Sequence, residues 1–485
     1  MLVVTVFSCF ERLLGFVYRI FLSRNLGAEG LGIYQVTLSV VGLIMTLTQS
    51  GIPITVSRII TKHSAENKEN LSFSTLTAGM LLSAVISLPV VLTVYLFPSI
   101  FKSVFADERS YTLLKIILPG VVITSFYSVI RGYFWGKRQF LSYSIIELLE
   151  ELVMLIAGVI LIGLATNSNN GLYGAGNSVL ISYIFSFLTA TLLFFIRGGR
   201  LKNPKGELKP LIYSATPITV MRTATSLINT LIAIVLPLRL VVNGMSESLA
   251  LSAFGELSGM CIPLIYIPST LIGSIALVLV PELSDNYYRH SNVTLKNNIE
   301  KAVKCSVYVS SLIVPVFLAL GKEIGVMVYD NQNAGLYVQR ASIIMIPMSI
   351  TMISTSMLNS LNLERKTLLN YLIGATFLMF SIYFLPKYFG IYSLIVGLLL
   401  SYLTTSVFNL LLIKNTCKRP PKYTLFIIAS VLFIVPSALF GHLIKGVLIN
   451  FLPLGLTVII CSVLIVTFIF LLYKIFWSFS LKSNF

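Results

Sequence analysis

Residues 2–23 read LVVTVFSCFERLLGFVYRIFLS, an apolar run that contains only one glutamate and two arginines. The hydrocarbon core of a bilayer is roughly 30 Å thick and takes ~20 apolar residues per helical crossing. This run is therefore long enough to cross a membrane as a single helix. Thirteen further runs of this kind follow, at 32–58, 72–97, 112–136, 141–164, 171–196, 210–238, 248–280, 303–321, 337–361, 367–386, 389–413, 423–446 and 450–478. We predict an all-α polytopic membrane protein with about fourteen transmembrane helices.

The composition of the chain favours a membrane transporter over a soluble enzyme. Of its 485 residues, 56% are hydrophobic and 11% are charged, whereas a soluble domain is about 25% charged. The sequence has no P-loop, HExxH or GxSxG motif, and its five cysteines form no CxxC pair. The glycines of 27–32 fit a tight turn between two spans rather than a nucleotide loop. We therefore predict neither catalysis nor a cofactor or metal site.

Lysines and arginines are unevenly distributed between the loops. With a cytoplasmic N-terminus, the loops after even-numbered spans and the C-terminal end hold 23 of the 35, among them Arg131, Lys137 and Arg138, and the opposite loops hold 9. By the positive-inside rule this bias places both termini in the cytoplasm, in the cell membrane. It also accounts for the net charge of +17 through loops that face an anionic leaflet, so no nucleic-acid partner is predicted.

An internal repeat relates the two halves of the chain. Residues 117–143 align without gaps with residues 345–371, so that Pro119 meets Pro347 and Tyr143 meets Tyr371. Each repeat has six spans, an even number, which makes the repeats parallel, as in several secondary transporters. We predict two pseudo-symmetric six-helix lobes with a cavity between them, followed by a helix pair, over residues 1–200, 201–415 and 416–485.

Three arginines lie inside predicted spans: Arg12 and Arg19 in the first, and Arg222 in the seventh. An ionisable side chain in hydrocarbon costs a few kcal/mol or more, so it faces a cavity or a partner. Arg12 and Arg222 both fall near mid-membrane, in the first helix of each repeat. Because guanidinium is a planar donor suited to phosphate, we predict that the three bind an anionic headgroup. The alternatives are structural ion pairs with buried carboxylates and, for Arg19, snorkelling to the outer interface.

Glu147, Glu150 and Glu151 stand at i, i+3 and i+4, and therefore share one face of the fifth span. Three like charges on a dry helix face are unfavourable unless some are protonated or paired. We predict a role in coupling to Na⁺ or H⁺ or in gating. The alternative is a hydrated helix face opposite Arg131 or Arg138. Glu256 in the eighth span and Glu11 beside Arg12 are weaker candidates of the same kind.

Several segments resemble a known family. They are Arg12-Leu-Leu-Gly15-Phe-Val-Tyr18-Arg19, the stretch from Leu22 to Gln35, Ser50-Gly51-Ile52-Pro53, Pro263–Pro268 and Val280–Ser284. Together they resemble the stage V sporulation protein B family. This is a polysaccharide-transporter branch of the multidrug/oligosaccharidyl-lipid/polysaccharide (MOP) superfamily, similar to lipid II flippases of the MurJ type. The resemblance implies a two-lobed, MATE-like fold of fourteen helices whose last two flank a groove for a lipid tail.

The resemblance also implies an activity and a residue role. The activity is the flipping of undecaprenyl-pyrophosphate-linked precursors from the cytoplasmic to the outer leaflet, and Arg12 matches an arginine that is important for the pyrophosphate. Two positions depart from the family pattern. A second arginine, one turn later, falls on Tyr18, with Arg19 adjacent, and Glu151 stands where an arginine follows the fifth-span glutamate. The departure at Glu151 implies a changed substrate, a changed coupling ion or a degenerate copy.

The function predicted from the sequence is alternating-access transport of a lipid-linked glycan precursor, either peptidoglycan lipid II or a related polysaccharide unit. The expected partners are the lipid-linked oligosaccharide, membrane lipids and Na⁺ or H⁺. One alternative is a cation-coupled multidrug exporter of the MATE type, which the glutamates favour and the arginines oppose. The other is a non-transporting membrane scaffold that recruits cell-wall or spore-cortex enzymes through its basic loops.

Overall fold

The structure is a computed structural model that describes residues 2–267, 269, 272–273, 282–283, 285, 292–417 and 421–482. Every regular element in these residues is helical, which confirms the all-α prediction. The first ten helices are α1 (Leu2–Gln49), α2 (Ile52–Ala65), α3 (Glu69–Leu96), α4 (Pro98–Val104), α5 (Glu108–Gly136), α6 (Phe140–Gly163), α7 (Ser168–Ile196), α8 (Leu208–Val242), α9 (Glu247–Phe254) and α10 (Ile262–Tyr266). A π-helical segment, Gly255–Cys261, joins α9 to α10.

In the described residues of the second half of the chain, eight further helices follow. They are α11 (Asn292–Tyr329), α12 (Gln332–Ala341), α13 (Met345–Ser360), α14 (Glu364–Phe384), α15 (Pro386–Phe389), α16 (Tyr392–Thr416), α17 (Thr424–Leu448) and α18 (Leu454–Lys482). A short 3₁₀ turn, Ser342–Ile344, precedes α13. Of the eighth-span motif quoted above, Pro268, Val280, Pro281 and Ser284 lie outside the described residues.

The helix α1 consists of two helical segments separated by a single residue. Gly27 has φ +71° and ψ −177°, and helical geometry continues on both sides of it. A positive φ of this size is readily adopted only by glycine. The turn predicted over residues 27–32 is therefore confined to Gly27, because the chain is helical again from Ala28.

In the part of the chain that the structure describes, twelve helical stretches are long and apolar enough to cross a membrane. The first of them, Val6–Ala65, is 60 residues long and includes the break at Gly27, so it has the length for two crossings. The helix α6 is not among the twelve because it carries three charged residues, Glu147, Glu150 and Glu151, although it is otherwise strongly apolar. The chain is thus a multi-span membrane protein, and the count of fourteen spans stays a prediction.

By contacts between residues, the chain divides into two compact units, Met1–Gly255 and Glu256–Phe485. The first unit includes α8 and α9 because both pack on α1. Thr230 of α8 donates a hydrogen bond to the carbonyl of Ser39 at 2.8 Å. At Gly32, an added Cβ would lie only 2.0 Å from the carbonyl oxygen of Leu251 in α9, so the two backbones touch. The division into two repeats and a helix pair therefore stays a prediction, with boundaries at 1–200, 201–415 and 416–485.

Candidate functional site

A polar cavity of about 270 Å³ lies inside the first unit, and we call it the acidic cavity. Four helices, α1, α5, α6 and α7, form its wall. Its lining residues are Glu11, Met45, Gln49, Thr124, Tyr127, Ser128, Arg131, Glu147, Glu150, Glu151 and Tyr183. Four carboxyl groups therefore face a single guanidinium.

The helix α6 supplies three of the four carboxyl groups. Glu147, Glu150 and Glu151 all reach the cavity because residues spaced by three and four positions lie on one helix face. Glu11 approaches from α1. An added Cβ at Gly15, one turn after Glu11, would lie 3.7 Å from Oε2 of Glu151, so α1 and α6 are close at this level.

Arg131 is the only cation among the described residues that line the acidic cavity. Its Nη1 donates a hydrogen bond to Oε1 of Glu147 at 2.9 Å, and both side chains are about a quarter exposed. The guanidinium also lies over the rings of Trp135 and Tyr127, at 5.1 and 5.9 Å from their centroids. These contacts hold the guanidinium of Arg131 next to Glu147, one of the four glutamates. The charge count placed Arg131 with the cytoplasmic loop, but the structure places it within α5.

Several polar atoms of this cavity lack a hydrogen-bond partner within the described part of the chain. They are Oε1 of Glu11, Oε2 of Glu151, the hydroxyl of Tyr127 and Nε of Arg131, each shielded from solvent. The Tyr127 side chain is 95% buried. A buried polar group left unsatisfied costs about 1–3 kcal/mol. A cavity of this size has room for water, which would satisfy all four atoms, or for a small cation, which would satisfy only the carboxylate and hydroxyl oxygens.

The glutamates do not form a ready-made metal site. In the described residues, no group of three or more histidine, cysteine, aspartate or glutamate side chains is arranged to hold a metal ion. The carboxyl groups line a shared space, but they do not converge into such a group.

The three predicted anion-binding arginines do not line the acidic cavity. Arg12 follows Glu11, and because successive helical residues point about 100° apart, Arg12 is directed elsewhere and is exposed. Arg222 is also exposed. Neither guanidinium forms a hydrogen bond or an ion pair within the described ranges. Arg19 is half-buried and has interaction partners, so it is not a free cation.

Arg12 and Arg222 nevertheless lie at a similar depth in the first unit. The helix α8 runs antiparallel to the second half of α1: Thr230 contacts Ser39, and an added Cβ at Gly51 would lie 2.3 Å from the carbonyl oxygen of Ala215. Arg222 is midway between Ala215 and Thr230, opposite the part of α1 near Met45. Met45 lines the same cavity as Glu11, the neighbour of Arg12. A single anion site formed by the arginines stays a prediction.

Glu256 belongs to the second unit and has a different environment. It is 7% exposed and lies in the π-helical segment. Its Oε1 accepts hydrogen bonds from Nδ2 of Asn331 at 3.0 Å and from Nδ2 of Asn333 at 3.3 Å. Oδ1 of Asn331 in turn accepts from the backbone N–H of Ala334 and caps α12. Glu256 is thus held by two amides, and a coupling or gating role for it stays a prediction.

The sequence reasoning did not identify Tyr127 or Gln49 as cavity residues. The signal was present in part: Tyr127 precedes Arg131 by one helical turn, so both face the same side of α5. Gln49 is a polar residue at the end of an apolar helix, which does not by itself distinguish a cavity from an interface.

Comparison with known proteins places the chain among transporter-like membrane proteins. Stage V sporulation protein B of Bacillus subtilis is 26% identical over 377 residues, which cover 75% of this chain and 73% of that protein. Lipid II flippase MurJ of Bacillus subtilis is 20% identical over 482 residues, which cover 91% of this chain and 87% of that protein. These matches confirm the family resemblance inferred from the sequence.

Solved structures share the fold. A structure of lipid II flippase MurJ in an inward closed conformation superimposes with a TM-score of 0.73 at 15% identity, covering 99% of this chain and 100% of that chain. An inward-facing multidrug resistance MATE family transporter of the MOP superfamily gives a TM-score of 0.66 at 14% identity, covering 88% of this chain and 95% of that chain. The family model described as "Polysaccharide biosynthesis protein" matches residues 1–287. The chain therefore belongs to the polysaccharide biosynthesis protein family.

Proposed function

We propose that this protein is a transporter that flips an undecaprenyl-pyrophosphate-linked glycan precursor across the cytoplasmic membrane by alternating access. The observation that carries the proposal is its similarity to a lipid II flippase over 91% of its length. Family membership and the shared fold support it. The substrate class is lipid II or a related polysaccharide unit. In this proposal both termini are cytoplasmic, and the repeats over residues 1–200 and 201–415 move relative to each other.

Arg12 and Arg222 are proposed to bind the pyrophosphate, with Arg19 nearby. Support comes from their exposure, their similar depth and the absence of a carboxylate partner for Arg12 and Arg222 in the described residues. A guanidinium that is not neutralised by the protein attracts an anionic headgroup and donates paired hydrogen bonds to its oxygens. The polyprenyl tail stays in the lipid phase, since burying it in a polar cavity is unfavourable.

The acidic cavity is proposed to bind the coupling ion, Na⁺ or H⁺. Glu11, Glu150 and Glu151 have no guanidinium of their own there, because Arg131 is paired with Glu147. Ionised carboxyl groups at this density repel one another unless a proton or cation joins them. Uptake and release of that charge would bias the protein between its two conformations. Glu256 is a weaker candidate because two asparagine amides already hold it.

The test of the anion site is leaflet exchange of a labelled lipid-linked precursor by the purified full-length protein in vesicles. Replacing Arg12 or Arg222 with glutamine removes a charge-assisted phosphate contact worth about 1.5–3 kcal/mol. We therefore expect exchange to fall by at least tenfold. Arg200→Gln, in an exposed loop, is the matched control and is expected to exchange at the wild-type rate. Wild-type exchange in both the Arg12→Gln and Arg222→Gln variants would rule out the anion site.

A second candidate function is cation-coupled drug export of the MATE type. The observation that favours it is the excess of four glutamates over one arginine in the acidic cavity, since such a cavity attracts cations. Ethidium efflux from proteoliposomes under a sodium or proton gradient measures it. Efflux that requires Glu150 and Glu151, together with no exchange of the lipid-linked precursor, would favour the exporter.

A further inference from the structure

A second large cavity, of about 860 Å³, lies in the second unit among α11, α16, α17 and α18. We call it the basic cavity. Two kinds of residue line it: the charged side chains of Glu300, Lys304, Lys414 and Lys422, and an apolar group that includes Val407, Leu411 and Phe476. The cavity is thus amphipathic, with charge from α11 and from the α16–α17 connection.

The charge of this cavity is positive. Among the described residues that line it, Glu300 is the only carboxylate, and its oxygens already have partners. They lie 3.5 Å from Nζ of Lys296 and 3.7 Å from Nζ of Lys304, and one accepts a hydrogen bond from the backbone N–H of Lys422 at 2.6 Å. Lys414 and Lys422 are exposed, and their ammonium groups form no ion pair in the residues that the structure describes. Two lysines therefore present charge that the protein itself does not neutralise.

A helix N-terminus adds to this positive potential. The helix α17 begins at Thr424, and its N-cap, Tyr423, provides no side-chain hydrogen bond to the first turn. Thr424, Leu425 and Phe426, the first three residues of α17, line the cavity. Unpaired N–H groups at a helix start bind anions, and phosphate above all. Tyr423 fixes this start by donating its hydroxyl to the carbonyl of Leu410 in α16, at 3.2 Å.

The rest of the cavity wall is apolar and open. Val407 and Leu411 of α16 are about half exposed, and Leu425 is 69% exposed. Val407 and Leu411 are one helical turn apart on one face of α16, so an aliphatic chain can run along both. In a protein that spans a membrane, such side chains face lipid, and basic residues at a helix end face the headgroups.

We propose that the basic cavity binds an anionic phospholipid of the surrounding membrane. Its phosphate contacts Lys414, Lys422 and the start of α17, and one acyl chain lies along Val407 and Leu411. The positive charge of the cavity favours an anionic ligand. The apolar wall favours a lipid over a free phosphate ion, and the position beside a basic loop favours a phospholipid of the membrane. The inference goes beyond the proposed function, because the ligand is a resident lipid and not the transported precursor.

The test is native mass spectrometry of the purified full-length protein titrated with phosphatidylglycerol or with phosphatidylethanolamine. We expect wild-type protein to prefer phosphatidylglycerol. Because each basic side chain near an anionic headgroup contributes about 1 kcal/mol, the Lys414→Gln/Lys422→Gln variant is expected to bind it roughly 10- to 30-fold more weakly. Lys387→Gln, an exposed lysine in α15, is the matched control and is expected to bind as wild type does. The Lys414→Arg/Lys422→Arg variant is expected to retain binding.

Three results would overturn the proposal. They are equal affinity for the two phospholipids, unchanged affinity in the Lys414→Gln/Lys422→Gln variant, and displacement of phosphatidylglycerol by inorganic phosphate or undecaprenyl phosphate at equal concentration. Leaflet exchange of the precursor is measured separately. Failure of the lipid-binding proposal therefore leaves the exchange assay unaffected, and loss of exchange leaves the lipid titration interpretable.

Discussion

The guanidinium of Arg131 donates a hydrogen bond to the carboxylate of Glu147 at 2.9 Å, inside a cavity that three further glutamates share. Arg131 and Glu147 lie on consecutive helices, α5 and α6, so the pair closes the hairpin between them. Arg131 is one of the two arginines that the alternative of a hydrated α6 face placed opposite these glutamates. Because this single arginine is engaged by Glu147, the other carboxyl groups need protons, water or a cation.

Removing Arg131 is expected to destabilise the protein. The Arg131→Gln variant leaves four carboxyl groups without a cation, and the cost lies between that of a surface pair and that of a fully buried pair, about 1–3 kcal/mol. Thermal unfolding in detergent measures this cost. The Arg131→Gln/Glu147→Gln variant is expected to recover part of it, because it also removes one of the remaining charges. Arg138→Gln, in the exposed loop that follows α5, is the control and should unfold as wild type does. Additive losses in the double variant would show that the pair is not coupled.

Much of the fold was predictable from hydropathy and helix-breaking residues. The predicted span 112–136 became α5 (Glu108–Gly136), and 141–164 became α6 (Phe140–Gly163). Apolar length alone determines such elements, because a membrane requires every backbone group in it to be paired within a helix. The predicted gap between the first two spans, residues 24–31, contains the break in α1. The break itself involves only Gly27, which has a positive φ.

The details of the site were less predictable. Spacing within a helix shows that Glu147, Glu150 and Glu151 share a face, and the structure places all three on one cavity. Spacing does not show which way an isolated helix is rotated, so it could not assign Glu11 rather than Arg12 to that cavity. The packing of α8 on α1 is also a tertiary contact, and the lengths of the predicted spans do not reveal it. Because of this packing, the first compact unit extends to Gly255.

The second prediction concerns two glycines of α6. An added Cβ at Gly158 would lie 2.5 Å from the Tyr18 ring and 2.6 Å from its hydroxyl, which is hydrogen-bonded to Ser178 at 2.7 Å. Gly158→Ala must displace this buried tyrosine, and overpacking of this kind costs about 1–3 kcal/mol. Gly163 has no heavy atom within 4 Å of an added Cβ. Gly163→Ala is therefore the matched control, neutral or stabilising by up to about 1 kcal/mol. Equal melting temperatures for the two variants would contradict the close contact.

The third prediction concerns Glu207, which precedes α8. Its Oε2 accepts hydrogen bonds from Nε2 of His63 at 3.2 Å and from the hydroxyl of Thr75 at 3.0 Å, and it is 9% exposed. Glu207→Ala leaves Nε2 of His63 without this acceptor, at a cost of about 1–3 kcal/mol. The Thr75 hydroxyl keeps the carbonyl of Leu71, at 2.9 Å, as an acceptor. Glu207→Gln keeps one acceptor oxygen and is expected to cost less. Limited proteolysis of the segment between α7 and α8 gives a second measurement, since this carboxylate ties that segment to α2 and α3.

The control for Glu207 is a glutamate with a surface partner. Glu66 pairs with Lys68 at 2.7 Å, and both side chains are well exposed. Glu66→Ala is expected to change stability by less than about 0.5 kcal/mol. A loss in Glu66→Ala as large as that in Glu207→Ala would mean that burial does not distinguish the two sites.

The fourth prediction concerns an ion cluster formed by the ends of three helical segments of the first unit. Nη2 of Arg109 contacts Oε1 of Glu29 and lies 2.7 Å from Oδ2 of Asp107, the N-cap of α5. The other oxygen of Glu29 accepts a hydrogen bond from Ser248 of α9 at 2.6 Å. Glu29 stands two residues after the break at Gly27, so the cluster connects the middle of α1 to the beginnings of α5 and α9.

Arg109 and Glu29 are each 32% exposed, so their interaction is expected to be modest and sensitive to salt. A double-mutant cycle with Arg109→Gln and Glu29→Gln should give a coupling energy of about 0.5–1 kcal/mol at low salt. In 1 M NaCl the Debye length falls to about 3 Å, and the coupling should decrease accordingly. Lys102→Gln is the control, because Lys102 forms an exposed pair with Glu108 at 3.3 Å that joins only neighbouring segments. A coupling energy that does not change with salt would mean that the pair is shielded from water, and the three helix ends would then be joined by a buried contact instead of a solvated one.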